Sequence, residues 1–303
     1  MKEKKLEKRT RFLDEIITTL SNKTMFFECK TGWNNFWMLS DEALVELSKS
    51  ILNIKNTIIN ASKNSLKEVN ETKKKLIEHN EYRKEDIKSD FSITYKEKEN
   101  KYVIGVPENN LERLIALTLE EKDNNLKVIN QIPTSDCGHI DLYCQNNKEI
   151  NIIELKQWDS NDNPLFAIVE LLKNYYLLFY SHQNKPIIEH FNICKENKKI
   201  NLILLAPIEY YEYFYKEKTL TNFLKLIEML NKKLIKKEEI EINIQLKYLN
   251  IERTTIENKV DTKRERNSDW RNYISDFKAE EKKAFCDWKD ISKIDKWPKS
   301  QNK

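Results

Sequence analysis

The run GHIDLYCQNNKEINIIELKQ, Gly138 to Gln157, decides how this chain is read. Two short strand-like segments, HIDLYC and EINIIELK, flank a polar break. Side chains alternate faces along a strand, so residues of the same parity share one. His139, Asp141 and Tyr143 therefore share a face, opposite Ile140, Leu142 and Cys144. In the second segment Glu154 and Lys156 share a face, opposite Ile153 and Leu155. A hairpin turning at Asn147-Lys148, or over the four residues Asn146 to Glu149, sets residue 141 directly across from residue 154. Asn at such a turn tolerates the positive φ that tight hairpins use.

Two carboxylates facing each other on a ladder repel, and a sheet does not carry that repulsion without compensation. A divalent cation compensates it naturally, because Mg²⁺ takes oxygen ligands, often one or two carboxylates with waters and phosphate oxygens. Lys156, next but one to Glu154, can then orient a water and stabilise charge developing on phosphorus. The competing reading is a polar outer face with a surface Lys–Glu pair, which contributes little. The hairpin's place among buried strands argues against it, since such strands rarely carry charge on both members.

Outward from the hairpin, the pattern is a mixed α/β one. YVIGV near Lys101 reads as a short strand. PENNLERLIALTLEEK follows as a helix with Leu111, Leu114, Ile115 and Leu119 on one face. LKVINQIP is a strand before the hairpin. LFAIVELLKNYYLLFY, after Asn163-Pro164, is apolar nearly all round and reads as a helix buried against a sheet. INLILLAP is a buried strand, NFLKLIEMLNKKLIK a helix, and IEINIQLKYL a strand. The order is helix, three strands, helix, strand, helix, strand, which fits an α/β sandwich with a mixed sheet.

On either side the composition shifts. Residues 1–100 form a mainly helical region. There Leu44, Leu47, Ile51, Ile54 and Ile58 mark a long amphipathic helix, or two helices, with Ser40-Asp41 as the N-cap. That apolar stripe either pairs two copies of the chain in a homodimer or packs back on the domain. The charged stretch ETKKKLIEHNEYRKED beyond it is expected to project into solvent. Residues 251–303 are charged with aromatics interspersed, among them Trp270, Tyr273, Phe277, Phe285 and Trp288. They are expected to form a helical tail docked by its aromatics.

Composition excludes several classes. The 303 residues are 39% hydrophobic and 34% charged, as expected of a soluble globular protein. The net charge of +4 permits nucleic acid as a partner without arguing for it. Only Gly32, Gly105 and Gly138 occur, so neither a P-loop nor GxGxxG exists. The five cysteines are scattered, odd in number and never in a CxxC pair, which suits reduced thiols in a cytoplasmic protein. The N-terminus MKEKKLEKRTR is no secretory signal, and no run of about 18 apolar residues predicts a membrane span.

Asp141, a hairpin and then Glu154-Leu155-Lys156, within this element order, resembles the active-site pattern of the PD-(D/E)XK nuclease superfamily. The resemblance covers 101–250. It implies a restriction-endonuclease-like α/β/α core and a Mg²⁺-dependent phosphodiesterase, Mn²⁺ serving in its place. The substrate it implies is DNA rather than RNA, cut as an endonuclease would cut it. Asp141 and Glu154 would hold the metal with the backbone carbonyl of Leu155 and with Glu112, which occupies the place of a first-helix glutamate many members use. For Glu112 the ordinary reading is an acid favouring the helix dipole. Lys156 would position the attacking water, and Gln157 would assist or contact substrate. Ile140 stands where the motif's proline would be, a departure many relatives share. The tripeptide ExK also occurs elsewhere; its serious rival, Glu28 to Lys30 in FFECK, lacks an acid on a neighbouring upstream strand.

Further contacts follow less directly. His139 shares the Asp141 face and is a candidate to touch phosphate or a water. Glu170, Lys173 and Tyr176 lie three apart along one side of the following helix; Lys173 and Tyr176 are candidates for substrate contact, against packing as the plain alternative. EYYEYFY, residues 209–215, offers rings that stack bases or fill a core. The alternative function is a nucleic-acid-binding or assembly module that keeps the fold without catalysis.

Overall fold

The computed structural model describes residues 36–64, 93–96, 101–104, 108–134, 139–158, 160, 162–181, 184–194, 199–214, 217–238, 240–252 and 277–294. The FFECK segment, both basic ends, His182, Trp270, Tyr273 and the charged stretch after Asn64 lie outside them.

A six-stranded mixed sheet organises the chain, in the order β3-β4-β5-β6-β7-β8. β3 (Lys127–Pro133), β4 (His139–Gln145) and β5 (Glu149–Leu155) form an antiparallel meander. β6 (Lys199–Pro207) and β7 (Ile242–Leu249) run parallel to β5. Helix α3 (Glu108–Lys122) precedes the meander, and α4 (Pro164–Tyr180) and a short α5 (Lys185–His190) join β5 to β6. After β6 come α6 (Ile208–Phe214) and α7 (Glu217–Glu238). The element order thus agrees with the sequence reading.

Alternation sorts the strands' side chains into two cores. Ile150, Ile152, Leu202, Leu204, Ile244 and Leu246 meet α4 and α7 on one face. Ile153, Leu155, Ile203 and Leu205 meet Leu111, Leu114 and Ile115 of α3 on the other. Helix α4 starts where Asn163 Oδ1 accepts the Phe166 N–H at 2.9 Å and Pro164 occupies the first turn. It is apolar all round because it has cover on two sides, the sheet and an N-terminal helix.

That N-terminal region is two helices, α1 (Asp41–Leu52) and α2 (Ile54–Asn64), broken at Asn53. Ser40 Oγ caps α1 by accepting the Ala43 N–H at 3.2 Å. Leu44, Leu47, Ile51, Ile54 and Ile58 are buried in the first core against α7 and α4. Of the two uses foreseen for this stripe, packing back on the domain is the one present in the single chain. A strand pair, β1 (Ile93–Lys96) and β2 (Lys101–Ile104), was legible only in its second member.

The C-terminal region departs from a purely helical tail. Helix α8 (Ala279–Cys286) docks on α3 through buried Phe285, with Phe277 beside it in the second core. The chain then adds a two-residue strand, β8 (Lys289–Asp290), antiparallel to β7. The helices Asp41–Leu52 and Ile54–Asn64 and the segment 277–291 therefore pack into the same body as the six-stranded sheet. Among the described residues, no helix is long and apolar enough to cross a membrane.

Candidate active site at the open end of the hairpin

The hairpin turn lies at the far end from the acids. Gln145 pairs with Ile150, and Asn146 N–H donates to the Glu149 carbonyl at 3.1 Å. Asn146 Oδ1 accepts the N–H groups of Lys148 and Glu149 at 2.8 and 2.9 Å. Positive φ was the sequence expectation here. Among the described non-glycine residues it occurs instead at Gln131 and Asn192, and the Asn146 side chain shapes the turn by hydrogen bonding.

Pairing runs back from that turn to Leu142 opposite Ile153, in the expected register and one position short of Asp141 and Glu154. The backbone ladder stops there. The Leu155 N–H is accepted at 2.8 Å by Asp141 Oδ2. Asp141 thus closes the end of the hairpin with its side chain. Strict alternation fails at this end: Ile140 packs in the first core, whereas Leu142 and Cys144 pack in the second. The β3–β4 pairing also skips a position between Asn130–Leu142 and Ile132–Ile140, which is where Gln131 faces Asp141.

Glu154 and Lys156 meet beyond the last paired residues. Lys156 Nζ lies 2.8 Å from Glu154 Oε1, and 3.4 Å from both Glu170 Oε2 and Asp162 Oδ2. Asn174 Nδ2 approaches Glu154 Oε2 and the His139 carbonyl at 3.4 and 3.3 Å, and Lys173 Nζ reaches Glu170 Oε1 at 3.3 Å. On the opposite side α3 contributes Glu112, whose Oε2 accepts from Gln131 Nε2. Its Oε1 is buried and, among the described residues, lacks a hydrogen-bond partner. Asp141, Glu154, Lys156 and Glu112 retain 5, 3, 4 and 1% of their exposure, so this is a recessed site and not a solvated Lys–Glu pair.

Electrostatics follow from that recess. Burial, and only then opposition from Lys156, sets Asp141, whose pKa is pushed up to about 7. Burial and the neighbouring Asp141 hold Glu112 well above the usual carboxylate range. Glu154 is raised for the same two reasons, with Glu170 adding to them. Glu170 goes the other way: against its burial, Lys173 and Lys156 hold it down at about 2. Burial alone would lower Lys156, but Glu154, Glu170, Glu108 and Asp141 outweigh it and keep the ammonium protonated. Five acids (Glu108, Asp141, Glu154, Asp162 and Glu170) thus lie around Lys156, with Lys173 on Glu170, while Glu112 feels Asp141 and Arg113. Burial and mutual repulsion hold Glu112, Asp141 and Glu154 toward their protonated forms, and a cation bound among them would take the place of those protons.

Among the described residues, no three His, Cys, Asp or Glu side chains close on one point as a ready metal cage. Mg²⁺ does not need one, since it keeps several waters and takes one or two carboxylates. The partnerless Oε1 of Glu112 and the hard oxygens of Asp141 and Glu154 suit such an ion.

Other expected residues fall variously. His139 Nε2 is 3.7 Å from Asp141 Oδ1, at the half-buried edge of the site. Gln157 is half-buried, and its backbone amide steadies Glu108. Leu155 packs its side chain in the second core. Of the residues expected to contact substrate, Lys173 and Tyr176 are both buried, Lys173 on Glu170 and Tyr176 among Tyr175, Tyr180 and Lys55. Helix α2 covers that stretch of α4. In the aromatic run, Tyr210 and Tyr211 fill the core and Tyr213 is exposed. Tyr210 Oη donates to the Asp162 carbonyl at 2.7 Å.

Sequence reasoning missed Glu108, Gln131, Asp162 and Asn174. Glu108 stands one helical turn before Glu112 and Asn174 one turn after Glu170, so a search at spacing four would have found both. Asp162 sits in a loop without a periodic signal. Comparison with protein-family models, curated proteins and solved structures finds no match to this chain.

Proposed function

We propose that this chain is a metal-dependent nuclease with a restriction-endonuclease-like core, hydrolysing phosphodiester bonds in DNA. The observation that carries the reading is the convergence of Asp141, Glu154 and Lys156, from two adjacent strands, on a recess where a buried Glu112 oxygen lacks a partner. A bound Mg²⁺ or Mn²⁺ would polarise the phosphate and lower the pKa of a water. One or two of the carboxylates of Asp141, Glu154 and Glu112 would hold it, with waters and the Leu155 carbonyl completing its shell.

In this scheme Asp141 is oriented by the Leu155 N–H, which fixes Oδ2, while Oδ1 lies 3.7 Å from His139 Nε2. Lys156 serves as a cation: its carboxylate neighbours keep its proton on, so it stabilises developing charge and orients water but does not act as a base. Gln157 would assist at the strand end, and His139 would touch phosphate or water at the rim.

Purified protein should nick plasmid DNA or cut single-stranded DNA with Mg²⁺ or Mn²⁺, while folded Asp141→Ala and Lys156→Ala variants should not. Equal cleavage by all three would reject the assignment. One feature favours the second reading, a non-catalytic nucleic-acid-binding module: three carboxylates already engage Lys156. Metal-independent binding without cleavage would establish that alternative.

A further inference from the structure

Gln131 is a non-glycine residue with φ of 55°, a left-handed conformation that costs free energy for any residue with a Cβ. It lies in β3 where pairing with β4 is interrupted, opposite Asp141. Its backbone changes the facing of the strand. Ile129 and Ile132, three apart, both pack in the first core, whereas strict alternation would separate them. The same change sends the Gln131 side chain to α3, where Nε2 donates to Glu112 Oε2. Asn130, its immediate neighbour, also supports that carboxylate. Two consecutive strand residues reach one group only because the chain turns left-handed between them. Backbone strain of this kind persists where surrounding structure fixes it, and it clusters at functional sites.

We infer that Gln131 is a positioning residue: its strained backbone aims an amide at Glu112 Oε2 and so holds Glu112 Oε1 in place beside Asp141 to receive a divalent cation. The inference rests on the proposed metal site and adds a residue to its support. A glutamate with one oxygen pinned presents the other in a fixed direction, which is how outer partners tune a metal ligand.

The test is titration of full-length protein with Mn²⁺, free ion being read by electron paramagnetic resonance. Gln131→Gly tolerates the backbone and lacks the amide; Gln131→Asn tolerates it and is one methylene short. Both should melt at or above the wild-type temperature yet bind Mn²⁺ about 10–100-fold more weakly, the usual effect of removing an outer partner. In a double-mutant cycle, Gln131→Gly should add nothing to Glu112→Gln. Affinity within twofold of wild type would overturn the inference, as would losses of stability and affinity in parallel. Asp141→Asn separates the two levels. If that variant loses Mn²⁺ and Gln131→Gly does not, the positioning role alone fails; if the wild type binds no Mn²⁺, the metal site fails and this inference with it.

Discussion

Asp141→Asn should stabilise the metal-free protein, and by an amount that depends on pH. The carboxyl of Asp141 is raised from 3.8 to about 7 in the fold, by burial first. For an acid with a raised folded pKa, the folded state holds its proton more tightly than the unfolded chain. Below about pH 3.8 both states are protonated and the residue is neutral to stability. Between there and pH 7 the penalty grows, and above pH 7 it is complete. A rise of this size corresponds to roughly 4 kcal/mol at pH 8 and about 2 kcal/mol at pH 5. Asparagine keeps an oxygen for the Leu155 N–H and removes the charge, so it should recover most of that difference. At about 2–4 °C per kcal/mol for larger domains, Tm in EDTA should rise by several degrees more at pH 8 than at pH 5. Adding Mg²⁺ should raise the wild type and leave the variant unmoved. The assay is thermal unfolding at both pH values, with EDTA and then with excess Mg²⁺. A variant destabilised equally at pH 5 and pH 8 would refute the reasoning, because burial of an ionised group would then not be what Asp141 costs.

Three further outcomes can be checked. Lys156→Met leaves Glu154 without its cation, Glu170 keeping Lys173, and should cost about 3–5 kcal/mol in urea unfolding. Any loss of cleavage by this variant must therefore be read beside its folded fraction. Asn146→Ala removes the acceptor of two turn N–H groups and should cost about 1 kcal/mol with cleavage unchanged, since the turn is at the far end from Asp141. Mg²⁺ binding at pH 7 should release protons, because raised carboxyls must ionise to bind it; calorimetry in buffers of different ionisation enthalpy measures the number, and none would count against the site.

Much of this architecture was legible because it rests on periodicity. The hairpin register follows from a period of two and a turn whose centre is fixed by NNK, so Leu142 opposite Ile153, the last pair before the acids, needed no other information. The stripes of α1, α2 and α3 follow from spacings of three and four, and α4 from its unbroken apolar run. What escaped has no period. β8 is two residues long, and β1 is four residues set among charges. The failure of alternation at Ile140 traces to the interrupted pairing at Gln131, a left-handed position without the glycine or asparagine that would have signalled it. The packing of Lys55 of α2 over Tyr176 of α4 is a long-range contact that no local pattern encodes.

The residues that broke the local rules are the ones that build the site. A regular β3–β4–β5 meander would have carried its hydrogen bonds to the strand ends and left Asp141 and Glu154 as a repelling surface pair. Instead the ladder stops at Leu142–Ile153, a side chain receives the Leu155 N–H, and a left-handed residue turns its amide to Glu112. Each departure costs stability, and together they gather Asp141, Glu154 and Glu112 in buried places, with Lys156 against Glu154. A purely structural ion-pair network would be expected to match its charges, because unmatched buried carboxylates are among the most costly groups a fold can hold. The crowding of buried Glu112 and Asp141 is what a divalent cation would relieve, and it supports the proposed catalytic reading over a polar network kept for packing alone.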